Sequence, residues 1–230
     1  MTELNEEIKQ DKQVKSKQRV ADHGEVFTNQ REVNAMLDLV KHETERIDSR
    51  FLEPACGNGN FLAEVLNRKL NVVEYKYSHT QTEWERYAML AVCNIYGVDI
   101  LEDNAKECRK RLFNIFKERY STLFADKCKL EVLRSLDFLL HRNILWGDSL
   151  NLKNPVTHEP IIFSEWSSVN GVMFKRRDFA LDKLLRPTSS EANSLLSDLG
   201  EEAFIPKPVQ DFPLTHFMKL GDEETADKQL

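Results

Sequence analysis

The sequence predicts an α/β protein built on a doubly wound, mostly parallel sheet, and two observations predict it. Short apolar strands alternate with longer segments of helical periodicity, the pattern of a parallel sheet with right-handed crossovers. Three of those strands each run into an acid beside a small-residue turn, at Glu53, Asp99 and Asp148. The chain has 230 residues, the upper end of what one domain usually holds.

Residues 1–19 are polar without apolar periodicity and read as a mobile or weakly helical arm. From Glu32 to about His42, the apolar positions Val33, Met36, Leu37, Leu39 and Val40 recur at helical spacing. Arg50 to Glu53 is a short strand stopped by Pro54. Asn60 to Leu70 is helical, with Phe61, Leu62, Val65 and Leu66 on one face. A helix from about Thr82 to Asn94 leads into the strand Ile95–Asp99, and Leu101 to about Tyr120 forms the next helix. Ile144 to Trp146 is a third strand closed by Gly147-Asp148, and Pro160 to Phe163 a fourth. Residues 20–186 form the domain; residues 187–230, with Pro187, Pro206, Pro208 and Pro213, form a tail expected to wrap its surface.

Composition narrows the function classes. Hydrophobic residues at 41% and charged residues at 30% are ordinary for a soluble globular protein. No apolar run reaches the roughly 18 residues of a membrane span, and no signal-peptide pattern opens the chain. A cytoplasmic protein without membrane contact is expected. The four cysteines, Cys56, Cys93, Cys108 and Cys128, form no C-x-x-C pair, and the histidines lack zinc spacing, so no metal is expected. A net charge of −6 argues against a surface made mainly to neutralise phosphates. Of the local basic runs, Lys175-Arg176-Arg177 follows the turn Asn170-Gly171 and is the best local candidate for a phosphate contact, although a solvated face is the simpler reading of it. Trp84 and Trp146 are expected in the core.

The most informative stretch is Phe51-Leu52-Glu53-Pro54-Ala55-Cys56-Gly57-Asn58-Gly59-Asn60-Phe61. A strand ends in an acid, passes through a turn holding two glycines, and opens a helix. Ligands of open α/β sheets sit at such carboxyl ends. The G-x-G-x-x-G and Lys-Ser/Thr patterns of phosphate loops are both absent. A carboxylate at the strand end instead suits a cationic ligand. Asp99 can accept both hydroxyl hydrogens of a ribose, and Asp148 can accept from an adenine amino group. Each acid alone reads equally well as a helix cap or turn residue. Cys56 reads as a small filler of the turn, since no His or Lys stands nearby to activate its thiol.

The run FLEPACGNGNF resembles the first S-adenosylmethionine motif of the DNA adenine methyltransferases of restriction-modification systems, in the branch whose cofactor motifs precede the catalytic one. Gly24-Glu25-Val26-Phe27-Thr28 resembles that branch's upstream element, and YGVDI and WGDSL its second and third motifs. The resemblance implies a Rossmann-like class I methyltransferase fold. It also implies that Glu53, Gly57 and Gly59 hold the methionine part, Asp99 the ribose, Asp148 the adenine and Thr28 the cofactor carboxylate. Pro54, Ala55, Cys56, Asn60, Phe61, Ile100 and Ser149 complete the implied cofactor set.

The family's Asn/Asp/Ser-Pro-Pro-Tyr/Phe signature, which holds the flipped base, is absent. Asn154-Pro155 follows Asp148 too closely and reads as a turn. Ser164-Glu165-Trp166-Ser167 stands after the expected fourth strand, where the signature belongs. There Ser164 is expected to accept a hydrogen bond, Glu165 to polarise the target amine and Trp166 to stack on the base; the competing expectation is a turn that has lost catalysis. The function implied is methyl transfer to the exocyclic amine of adenine in DNA, in a restriction-modification or mobile-element setting. The alternative is a catalytically inactive cofactor-binding subunit, relying on a specificity or second methyltransferase subunit for catalysis and DNA recognition.

Overall fold

The computed structural model describes residues 14–185 and 207–222. Their organising element is a sheet of three parallel strands, β1 (Phe51–Glu53), β2 (Ile95–Asp99) and β3 (Ile144–Trp146), in the order β1-β2-β3. Glu53 pairs with Gly97 and Asp99 with Trp146, so β2 and β3 end level, β1 ends two residues earlier, and the turns that follow lie at the same edge of the sheet.

Helices make the connections. Before the sheet come α1 (Lys17–His23), α2 (Gln30–Leu39) and α3 (Lys41–Thr44). Between β1 and β2 lie α4 (Asn60–Tyr77) and α5 (Gln81–Cys93); between β2 and β3 lie α6 (Glu102–Phe124) and α7 (Leu130–Asn143). Thr80 starts α5 as a side-chain cap on the Glu83 N–H. The expected helices over residues 60–70 and 101–120 are real but longer. Helix α7 is one the sequence reading passes over, although Val132, Leu136, Leu139 and Leu140 recur at helical spacing and are all buried.

Alternation along the strands divides the core in two. Ile95 and Ile144 face the side on which α4 to α7 pack, with Leu62, Leu66, Trp84, Phe116 and Leu139. Tyr96, Val98 and Leu145 face the opposite side, where Leu152, Ile161, Phe163 and Leu181 cover them. Among the described residues that second face is covered by loop, hairpin and the start of the short helix at Leu181 rather than by the long crossover helices a doubly wound sheet would place there. Trp84 is fully buried, stacked on Tyr120. Trp146 is only half-buried, its indole N–H donating to the Ile100 carbonyl at 3.0 Å.

The expected fourth strand does not join the parallel sheet. Residues 162–169 form β4 (Ile162–Val169), antiparallel to β5 (Met173–Ala180) across a turn at Asn170 and Gly171, both at positive φ. Ser164 to Ser167, expected as a turn, lie inside β4, opposite Asp178, Arg177, Arg176 and Lys175. Helix α8 (Leu181–Leu185) follows.

Residues 1–13, 186–206 and 223–230 lie outside the described residues, and with them most of the expected arm and part of the tail. What is described of the arm is structured: α1 begins at Lys17, capped by Ser16. Of the tail, β6 (Gln210–Asp211) and β7 (Thr215–His216) both pair with β5. The 3-10 turn Phe217–Asp222 then drives Phe217 and Leu220 into the core beside α7. This part of the tail is core-forming rather than a surface wrap, because two apolar side chains anchor it.

Candidate functional site

The turns after the three parallel strands enclose a cavity of about 460 Å3. Its floor is the segment following β1, with Glu53, Pro54, Ala55, Cys56 and Gly57 on the wall and Asn60 and Phe61 contributed by the first turn of α4. Asp99 and Ile100 line it from the end of β2, Asp148 and Ser149 from beyond β3, and Thr28 from the segment before α2. Twelve of the thirteen residues expected around the cofactor therefore meet at one cavity. The exception, Gly59, does not line it.

Gly59 has a different task. It caps α4 at φ 84°, and a Cβ there would sit 2.7 Å from the Cys108 sulfur of α6. Glycine thus admits both the left-handed backbone and the close approach of the two helices. Gly57 is also left-handed, at φ 52°, and a Cβ there would sit 3.0 Å from the Phe27 ring. The turn is pinned from within: Cys56 N–H donates to the Val98 carbonyl (2.9 Å), and Gly59 N–H to the Cys56 carbonyl (2.8 Å).

Among the described residues, four carboxylates line the cavity, those of Glu25, Glu53, Asp99 and Asp148, and no Lys, Arg or His does. Asp99 accepts from Gly57 N–H through Oδ2 (2.8 Å), and from Leu101 N–H (2.9 Å) and the Asn104 amide (3.2 Å) through Oδ1. Asp148 accepts from Leu150 N–H (2.8 Å) and Asn151 N–H (3.3 Å), and these hydrogen bonds hold its carboxyl below the usual range. It therefore organises its own turn while lining the cavity. Glu53 has no cationic partner among the described residues: burial raises its pKa, and the Ala55 N–H at 3.4 Å offsets this only in part. Asn58 also lines the cavity, and its buried Oδ1 has no donor among the described residues. Among the described residues the cavity thus presents an acceptor without a donor at Asn58 and a carboxylate without a cation at Glu53.

The neighbouring Cys108 thiol, together with burial, pushes the Cys56 thiol up and keeps it protonated. That suits a filler rather than a nucleophile. Glu25, Phe27, Asn58 and Asn104 line the cavity although the sequence reading assigned them no role there. Glu25 and Phe27 lie inside the Gly24–Thr28 element, so the signal was present for those two.

The expected catalytic residues do not reach this cavity. Ser164, 1% exposed, donates to Asp178 (2.7 Å) and accepts from Arg176 (3.3 Å). Trp166, 3% exposed, donates its indole N–H to Asn143 (2.9 Å) and packs edge-on against Phe138, leaving no open face for a base. Glu165 is held between Arg50 (2.7 Å) and Arg177 (2.8 Å). Ser164 and Glu165 instead border a second, largely apolar cavity of about 450 Å3 beside Leu52 and Tyr96. The basic triplet is likewise committed. Lys175 pairs with Asp211, Arg177 with Glu165, and Arg176 is buried against Asp178 at 2.6 Å. Strand alternation turns Arg176 inward, which no basic surface patch would do.

Among the described residues no cluster of three or more His, Cys, Asp or Glu is placed to hold a metal, and no helix is long and apolar enough to cross a membrane. Compared with known proteins, the sequence matches no family model, and neither a curated protein nor a solved structure matches it.

Proposed function

We propose that the cavity at the ends of β1, β2 and β3 binds S-adenosylmethionine, on a domain of the class I methyltransferase type. The observation that carries this reading is the lining itself: among the described residues, four carboxylates, an acceptor without a donor at Asn58, and no basic side chain. A nucleotide polyphosphate would meet only like charge here. A nucleoside carrying a sulfonium and an ammonium group meets complementary charge. Glu53 and Asn58 would take the ammonium, Asp99 one ribose hydroxyl through the single lone pair left on its Oδ2, and Asp148 the adenine amine. When bound, the cofactor supplies an electrophilic methyl group; the chain's residues bind it, orient it and exclude water.

Adenine in DNA as the acceptor rests on the sequence motifs. The geometry favours the subunit reading over an unaided enzyme, because Ser164, Glu165 and Trp166 are held within the β4–β5 hairpin. On this reading, a partner polypeptide supplies the loop that holds the flipped base and the surface that reads DNA. The test is calorimetric titration with S-adenosylmethionine, with ATP as the polyphosphate control, then tritiated methyl transfer to mixed-sequence DNA. Cofactor binding without transfer supports the subunit. Binding with transfer returns the enzyme reading, and a preference for ATP sinks both.

A further inference from the structure

At the cavity wall, one buried amide bridges two carboxylates. Asn104, 1% exposed in the first turn of α6, donates through Nδ2 to Glu25 (2.7 Å) and to Asp99 (3.2 Å). Its Oδ1 accepts from Lys15 (2.8 Å) and Arg19 (3.2 Å), so cations on one side and carboxylates on the other fix the orientation of the amide. Arg19, in α1, makes a forked pair with Glu25 (2.6 and 2.8 Å) and a second with Asp103 (2.6 and 3.1 Å). Burial alone would raise the pKa of Glu25, but Arg19 and Asn104 hold it below its usual value, so it stays charged. Helix α1 is thereby buckled to the start of α6 by a continuous chain running Arg19–Glu25–Asn104–Asp99–Gly57.

We propose that Asn104 is a positioning residue for Asp99 and that α1, through Arg19, is an integral part of the cavity, its docking coupled to ligand affinity. This rests on the reading of the cavity as the S-adenosylmethionine site. The physical reason is charge: Glu25 and Asp99 share one small volume only while the amide bridges them and Arg19 neutralises Glu25. If α1 leaves, Glu25 loses its cation and the Asp99 carboxylate loses its fixed direction. By reciprocity a ligand gripping Asp99 tightens α1, although α1 itself contributes no cavity-lining side chain.

The experiment uses the full chain and two variants, Arg19→Gln and Asn104→Ala, with two readouts. Amide hydrogen exchange without ligand follows Gly57 and Leu101, whose N–H groups report on the Asp99 carboxylate. Titration with S-adenosylhomocysteine follows affinity. In both variants the two amides should exchange faster while those of α5 keep their rates, and affinity should fall about tenfold, the worth of roughly one hydrogen bond to a charged group. Unchanged exchange at Gly57 and Leu101, or wild-type affinity in Arg19→Gln, overturns the proposal. Failure of the unaltered chain to bind S-adenosylhomocysteine sinks the cofactor reading instead; the ligand-free exchange rates still decide whether Arg19 governs Asp99.

Discussion

The Gly57 N–H donates to the Asp99 carboxylate at 2.8 Å, joining the turn after β1 to the end of β2. A residue in the first turn thus holds the acid of the second. Asp99→Ala should cost twice. It strands the donors of Gly57, Leu101 and Asn104, worth about 1–3 kcal/mol of stability. It should also weaken S-adenosylmethionine at least tenfold, read by thermal melting and by titration.

Glu53→Gln should separate stability from binding. Burial raises the folded pKa of Glu53, so its favourable contribution is present below the ordinary carboxylate range and lost as pH rises through the raised value. At neutral pH the neutral amide should therefore raise the melting temperature, by about 1–3 °C. Cofactor affinity should drop in the same variant. A lower melting temperature would show that Glu53 already has a compensating partner.

Gly59→Ala brings a Cβ onto the Cys108 sulfur in a left-handed backbone, and should destabilise by about 1–3 kcal/mol. Adding Cys108→Ala should recover only the steric part, because the backbone strain remains. Full recovery in the double variant would mean that the φ of Gly59 is immaterial.

Lys69 is fully buried, donates to the carbonyls of Ile47 and Ser49, and burial lowers its pKa to about 7. Its ammonium is favoured in the unfolded chain, which therefore binds more protons between pH 7 and the ordinary lysine range. Stability should rise with pH across that window. Denaturant melts at pH 7 and pH 9 should show the rise, and Lys69→Met should flatten it.

Trp166→Ala should unfold or strongly destabilise the chain, by about 3–5 kcal/mol, since it empties a packed site between Asn143 and Phe138. A variant with the parent's melting temperature that has lost only methyl transfer would restore the base-stacking role.

The wall of the cavity was legible because it is local. Each strand end and its turn are contiguous in sequence, so Glu53 to Phe61, Asp99-Ile100 and Asp148-Ser149 announce themselves. The hairpin was not, because its identity depends on pairing at a distance. Pro160 to Phe163 reads as a short buried strand whichever neighbour it finds, and only β5 reveals that Ser164 to Ser167 continue it. Arg176 shows the same limit: three consecutive basic residues look like a patch until alternation sends the middle one inward to Asp178. Asn104 escaped notice because its partners lie 79 residues away at Glu25 and five away at Asp99, with nothing in the intervening sequence to link them. Helix α7 carried a plain apolar period and needed no tertiary information.

The turn at Asn170 and Gly171 has a consequence for how faithfully the chain folds. Both residues take positive φ, which most side chains resist, so the chain reverses at this point at little cost. Position matters because neighbouring strand residues belong to opposite sides. Sliding β5 by one place would push Lys175 and Arg177 into the packing around Phe138 and expose Phe174 to water. The Asn170-Gly171 tip therefore helps to fix the register: a hairpin shifted by one place would leave Lys175 and Arg177 without their partners Asp211 and Glu165.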